Sequence, residues 1–102
     1  SKKPTGIFAA NDSLTLGVMK AMLGLGLAVP GDVSVVGFDD VEAATHTSPP
    51  LTTVRVDKTD LGRHAARLLS ELIDGGSECV PYKISVCTEL IVRGSTGPRP
   101  TE

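Results

Sequence analysis

Long apolar runs, concentrated charge and paired ligand motifs are scarce in this sequence. No apolar stretch approaches the ~18 residues of a membrane span, and no charged-then-apolar leader precedes a small-residue cleavage site. The expectation is a cytoplasmic protein with no membrane partner. Ten Lys and Arg stand against twelve Asp and Glu, a formal charge of −2, and no like-charge run exceeds a pair such as Lys2-Lys3. The basic stripe that grips nucleic acid is therefore missing, and any DNA contact falls to another segment. The two cysteines, Cys79 and Cys87, are eight residues apart with no companion at metal-ligand spacing. They read as free thiols, buried or half-buried, in a reducing compartment. His46 and His64 accompany no G-x-S-x-G nucleophile and no second His at i+4, so they read as surface or interface side chains. Gly24-Leu25-Gly26 resembles part of a dinucleotide fingerprint, but it ends a helix where that loop would open one. No cofactor or metal is expected.

What is present is the composition of one soluble globular domain or a piece of a larger one: 102 residues, 40% hydrophobic and 22% charged. Such a chain can bury roughly two thirds of its unfolded surface. The apolar run Gly6-Ile7-Phe8-Ala9-Ala10 predicts a strand that stops at Asn11-Asp12, a helix-start signal. Leu14, Val18, Ala21, Met22 and Leu25 recur at helical spacing over 12–25. Gly26 supplies a left-handed C-terminal residue, and Pro30-Gly31-Asp32 forbids continuation. Residues 33–38 are β-branched and too few for a helix, so they predict a second strand, parallel to the first across the helical crossover.

Residues 41–47 predict a short helical turn, ended by Ser48-Pro49-Pro50, and residues 51–56 look extended. Residues 57–74 carry the clearest amphipathic pattern, with Leu61, Ala65, Leu68, Leu69, Leu72 and Ile73 on one face, Asp57 as N-cap and Gly75-Gly76 as stop. A last strand is expected over 83–93, and the Gly/Pro/Thr tail beyond it should fray. The opening at Ser1, straight into a strand, suits a segment excised from a longer chain.

The most informative stretch is Ser34-Val35-Val36-Gly37-Phe38-Asp39-Asp40, a buried-type strand ending in two carboxylates. Asn11-Asp12 and Asp39-Asp40 each follow a parallel strand, so both pairs should emerge at the carboxyl-terminal edge of the sheet, where open α/β folds bind ligands. Carboxylates and a carboxamide suit the hydroxyl groups or ring nitrogens of a small polar molecule. Asp12 and Asp40 are expected to cap the first helix and the turn at Val41, each contributing about 1 kcal/mol. Asn11 and Asp39, the residues that end each strand, are the expected ligand contacts. A glycosidase would need two carboxylates flanking a bond, which the neighbours Asp39 and Asp40 cannot do and which only Asp12 with Asp39 leaves open.

Ala10-Asn11-Asp12, the run from Gly26-Leu27 through Val29-Pro30 to Phe38-Asp39-Asp40, Pro49-Pro50-Leu51-Thr52-Thr53-Val54, Leu61-Gly62, and Glu89-Leu90-Ile91-Val92-Arg93-Gly94-Ser95-Thr96 closely resemble the LacI/GalR family of bacterial transcription regulators. The resemblance covers nearly the whole chain. It implies the C-terminal portion of the effector-binding and dimerisation core over residues 1–102, without the DNA-binding head. The implied fold is α/β, a partial three-layer, doubly wound, mostly parallel sheet of the periplasmic-binding-protein-like type I.

In that family a small effector sits between two subdomains and alters how a dimer presents its heads to operator DNA. Carried over by position, Asn11 and Asp39 match effector-contacting residues, and Val56 and Lys58 are weaker matches. Leu16, Lys20, His46 and Thr47 match the dimer interface of a homodimer. The family chain crosses between subdomains near Val56 and again within the last strand. The helix over 57–74 would then belong to the other subdomain, so a dimer or swapped assembly is expected. A periplasmic sugar-binding protein shares the implied fold and remains the alternative, and a doubly wound enzyme is the more distant one.

Overall fold

A computed structural model describes residues 3–101, and of Ser77 its backbone only. Lys2, half of the basic pair noted above, lies outside the described residues. Two units divide the chain: one takes in Ser1–Arg55 and Glu89–Glu102, the other Val56–Thr88. These breaks coincide with the crossings that the family resemblance implies, one beside Val56 and one inside the expected last strand.

In the first unit, β1 (Gly6–Phe8) is followed by α1 (Asp12–Gly24) and β2 (Ser34–Val36). β1 and β2 pair in parallel with Ile7 opposite Val35, as the helical crossover requires. Beyond β2 the chain continues beside β3 (Thr53–Arg55) through parallel bridges Val36 to Thr52 and Asp39 to Arg55. The Gly37 N–H donates to Thr52 O and the Asp39 N–H to Val54 O, each at 2.9 Å. β4 (Glu89–Ile91) closes on β3 antiparallel, with Thr53 opposite Ile91 and Arg55 opposite Glu89. A 3₁₀ turn, Glu42–Thr45, fills the predicted short helical segment.

The core is small: Val35, Ala44 and Leu51 are fully buried, with Val18, Met19, Val29 and Val41 packed on them. The inward side of α1 therefore runs through Thr15, Val18 and Met19. This corrects the expected apolar face, since Leu14 and Leu25 are more than half exposed and Ala21 is exposed too. Helical spacing alone fits two faces of α1, and close approach of the helix to the sheet selects the one carrying Thr15, which is fully buried.

Two further expectations are corrected. The last strand spans Glu89–Ile91 and not 83–93, because only these residues find β3 as a partner. The tail is tied down where fraying was expected: Ser95 is fully buried, and Gly97 exchanges two hydrogen bonds with the Ser34 hydroxyl, at 3.0 and 3.2 Å.

The second unit is α2 (Lys58–Gly75) with a following 3₁₀ turn, Gly76–Glu78, and residues 79–88 outside regular structure. Asp57 caps α2 as expected, its carboxylate accepting from the Asp60 N–H at 2.9 Å, and Gly76 takes a positive φ of 54° at the far end. No residue of α2 is buried. Its apolar stripe stands open, with Leu61, Leu69, Leu72 and Ile73 each about half exposed or more. Both cysteines are free thiols, Cys79 half-buried and Cys87 exposed, so the burial expected of Cys87 is not found. Residues 79–88 supply no second layer to cover it.

Candidate functional site

The site grows from the carboxyl-terminal edge of the sheet in the first unit. Asn11 ends the connection from β1, and Asp39 and Asp40 follow β2. The two parallel strands carry them to the same edge, as the sequence order demanded.

Asn11, and not Asp12, caps α1. Its side-chain oxygen accepts from the Leu14 N–H at 2.9 Å, and its extended backbone is the ordinary N-cap conformation. Asp12 is fully buried one step further on. Its carboxylate accepts from the Thr53 hydroxyl at 2.7 Å and from the Val41 N–H at 2.9 Å. The turn after Val41 has no side-chain cap, so the capping expected of Asp40 is not found, and the Val41 N–H is held by Asp12 from 29 residues away.

Asp40 is released for another task. Its carboxylate receives the Arg55 Nε and the Arg93 Nη2, each at 2.7 Å, and its side chain is only 9% exposed. Burial pushes this carboxyl up. The hydrogen bonds and charges of Arg55 and Arg93 outweigh that effect and hold it below the usual carboxylate range, and the Arg55 guanidinium is raised in turn. Arg93 also donates through Nη1 to Leu51 O and through its backbone N–H to the Thr52 hydroxyl, both at 2.9 Å.

The backbone here is left-handed at two successive residues that are not glycine, Asp39 at φ 116° and Asp40 at φ 56°. Each such conformation costs on the order of 1–3 kcal/mol and persists only where its surroundings over-determine it. Here the surroundings are the β3 backbone, the two guanidiniums and the buried Asp12.

Gly37 allows the close approach beneath this edge. A Cβ at that position would fall on Asp12 Oδ1, 2.9 Å from Thr15 Oγ1 and 3.1 Å from Leu51 Cδ2. Ser95 completes the floor, donating to Val35 O at 2.6 Å and accepting from the Thr52 N–H at 2.8 Å.

Of the residues singled out from sequence, Asn11 and Asp39 stand half-buried at the strand ends. Val56 and Lys58 fall in the second unit, the first half-buried and the second exposed. Leu16 and Thr47 are half-buried, while Lys20 and His46 are exposed. The polar framework of Asp12, Thr53, Arg55, Arg93 and Ser95 was not foreseen. The available signal was Thr52-Thr53 inside an otherwise apolar strand, together with arginines at two strand ends. Among the described residues no group of three His, Cys, Asp or Glu side chains could hold a metal ion, and no helix is long and apolar enough to cross a membrane.

Residues 1–96 match the periplasmic binding protein-like domain family. The chain belongs to that family. Its relatives include the HTH-type transcriptional repressor PurR of Haemophilus influenzae, 42% identical over 96 residues that make up 92% of this chain and 29% of the relative. Among solved structures, the complex of the transcriptional regulator CelR with cellobiose superimposes with a TM-score of 0.83 at 38% identity, covering 89% of this chain and 28% of that one. The lac repressor dimer bound to operator and the anti-inducer ONPF gives 0.82 at 38% identity, covering 91% and 32%. The LacI-family resemblance is thereby confirmed, and the chain spans less than a third of the length of each of these proteins.

Proposed function

We propose that this chain is the ligand-sensing and dimerisation portion of a LacI/GalR-like transcriptional regulator, one that binds a sugar or a nucleoside and thereby alters operator DNA binding. The observation that carries this reading is the pairing of Asn11 and Asp39 at the ends of adjacent parallel strands, in a chain that superimposes over 89% of its length on a cellobiose-bound regulator. Asp39 accepts hydrogen bonds from effector hydroxyls. Asn11 has committed its oxygen to the Leu14 N–H, so it offers its amide N–H groups to an effector oxygen. Val56 and Lys58, where the chain leaves the first unit, add weaker contacts.

The sheet described here forms part of a three-layer, doubly wound core of the type I class. Leu16, Lys20, His46 and Thr47 lie in the homodimer interface. Operator DNA is met by a separate N-terminal domain, in keeping with the near-neutral charge of this chain. The protein works in the cytoplasm, catalyses no reaction and needs no cofactor.

A thermal-shift screen of the full-length protein against sugars and nucleosides should find at least one stabilising compound, since a ligand bound to the native state raises its melting temperature. Asp39→Ala should abolish that shift while leaving the unliganded melting temperature within a few degrees. An unchanged shift in the variant would remove Asp39 from the site.

A further inference from the structure

The two carboxylates that follow β2 have different partners, and the difference suggests a division of labour. Asp40 spends both oxygens on arginines from two other segments. Arg55 is the last residue of β3 before the chain leaves the first unit, and Arg93 lies just after β4 on the returning strand. Arg55 is also opposite Glu89 in the β3–β4 register. Arg93 is itself fixed at Leu51 O and at the Thr52 hydroxyl, so it cannot follow Asp40 if the loop moves.

Asp39 and Asp40 share a positive-φ backbone that is uncommon outside glycine, and at φ 116° Asp39 lies beyond the αL region that aspartate adopts more readily than most residues. Its backbone anchors include the Asp39 N–H donating to Val54 O, within the parallel bridge to Arg55, and the Asp40 N–H reaching the Thr53 hydroxyl at 3.4 Å, a long bond. Two charge-assisted bonds at 2.7 Å tie this loop to β3 and to the segment after β4.

We propose that Asp40 is a positioning residue for the effector site: by clamping Arg55 and Arg93 together it holds the 39–40 backbone left-handed, and so fixes where Asp39 stands at the sheet edge. The importance of this placement for binding rests on the reading of Asp39 as an effector contact. The clamp itself does not.

The test uses isotope-labelled chain and the HN–Hα coupling of Asp39, which is small at its present φ and larger in the ordinary extended and helical regions. In Asp40→Ala the coupling should rise and the Asp39 amide resonance should move. Resonances of Ile7 and Val35 should stay in place, a local pattern that a merely destabilised fold would not give. Asp40→Gly should keep the small coupling better than Asp40→Ala, because glycine tolerates positive φ without a clamp. If Asp40→Ala fails to fold, Arg93→Lys, which keeps the charge and loses the fork, gives the same readout.

An unchanged Asp39 coupling in Asp40→Ala, or in Arg93→Lys where that variant takes its place, would overturn the proposal. The coupling is read without ligand, so failure of the clamp is distinct from failure of the effector reading, which the Asp39→Ala thermal shift decides.

Discussion

The two helices of this chain invert the usual relation between pattern and burial. α2 has a clean apolar stripe and buries nothing, whereas α1 has a diffuse pattern, exposes Leu14 and Leu23, and yet carries two fully buried residues, Asp12 and Thr15. Amphipathicity marks a helix built to meet a partner and does not supply the partner. Burial in the first unit comes instead from polar groups that satisfy one another. Among the described residues, Asp12, Thr15, Thr52, Thr53 and Ser95 are buried beside four buried apolar residues, Val33, Val35, Ala44 and Leu51. A core of this kind depends on hydrogen-bond geometry as much as on area removed from water, because each unpaired buried group costs about 1–3 kcal/mol.

The contrast predicts where substitution hurts. The largest effect should follow Gly37→Ala, which drives a methyl group into Asp12 and Thr15. Both are locked, Asp12 by Thr53 and Val41 and Thr15 by its hydroxyl bond to Asn11 O, so the loss should be about 3 kcal/mol by denaturant unfolding. Ser95→Ala comes next. It strands Val35 O and the Thr52 N–H in a buried site, and a loss of about 2 kcal/mol is expected from the same measurement.

Acid should act on the first unit through Asp40. Its folded pKa lies below the ordinary carboxylate value, so its contribution is fully present above that ordinary value and is lost as the pH falls through the lower, folded one. Solvent screening around the half-exposed Arg55 keeps this contribution small, and Asp40→Asn should flatten the acid limb of a stability-against-pH curve. Ile73→Ser on the open face of α2 should be the smallest, within about 0.5 kcal/mol in this chain, because the side chain is 71% exposed. A large loss there would show that the stripe is covered in solution.

Much of the molecule was legible from the sequence. The order of elements, the parallel pairing of the first two strands, the Asp57 cap, the left-handed Gly26 and the emergence of Asn11 and Asp39 at one sheet edge all followed from it. The assignment of tasks among the four polar residues did not. Asn11 took the cap expected of Asp12, Asp12 went to the Thr53 hydroxyl and the Val41 N–H, and Asp40 went to two arginines and left the turn uncapped. A neighbour swap of this kind is invisible to spacing rules, since adjacent acidic residues satisfy the same local signal.

Local chemistry is what the sequence by itself determined, because capping, β-branching and helical periodicity act within a few residues of their cause. The tertiary structure alone decided the partners of Asp12, Asp40 and Ser95, which lie 29, 53 and 60 residues from the groups they hold. No local propensity reports contacts at that range. The register of β2 against β3, with the return of β4, brings those groups together and shapes the edge beside Asp39.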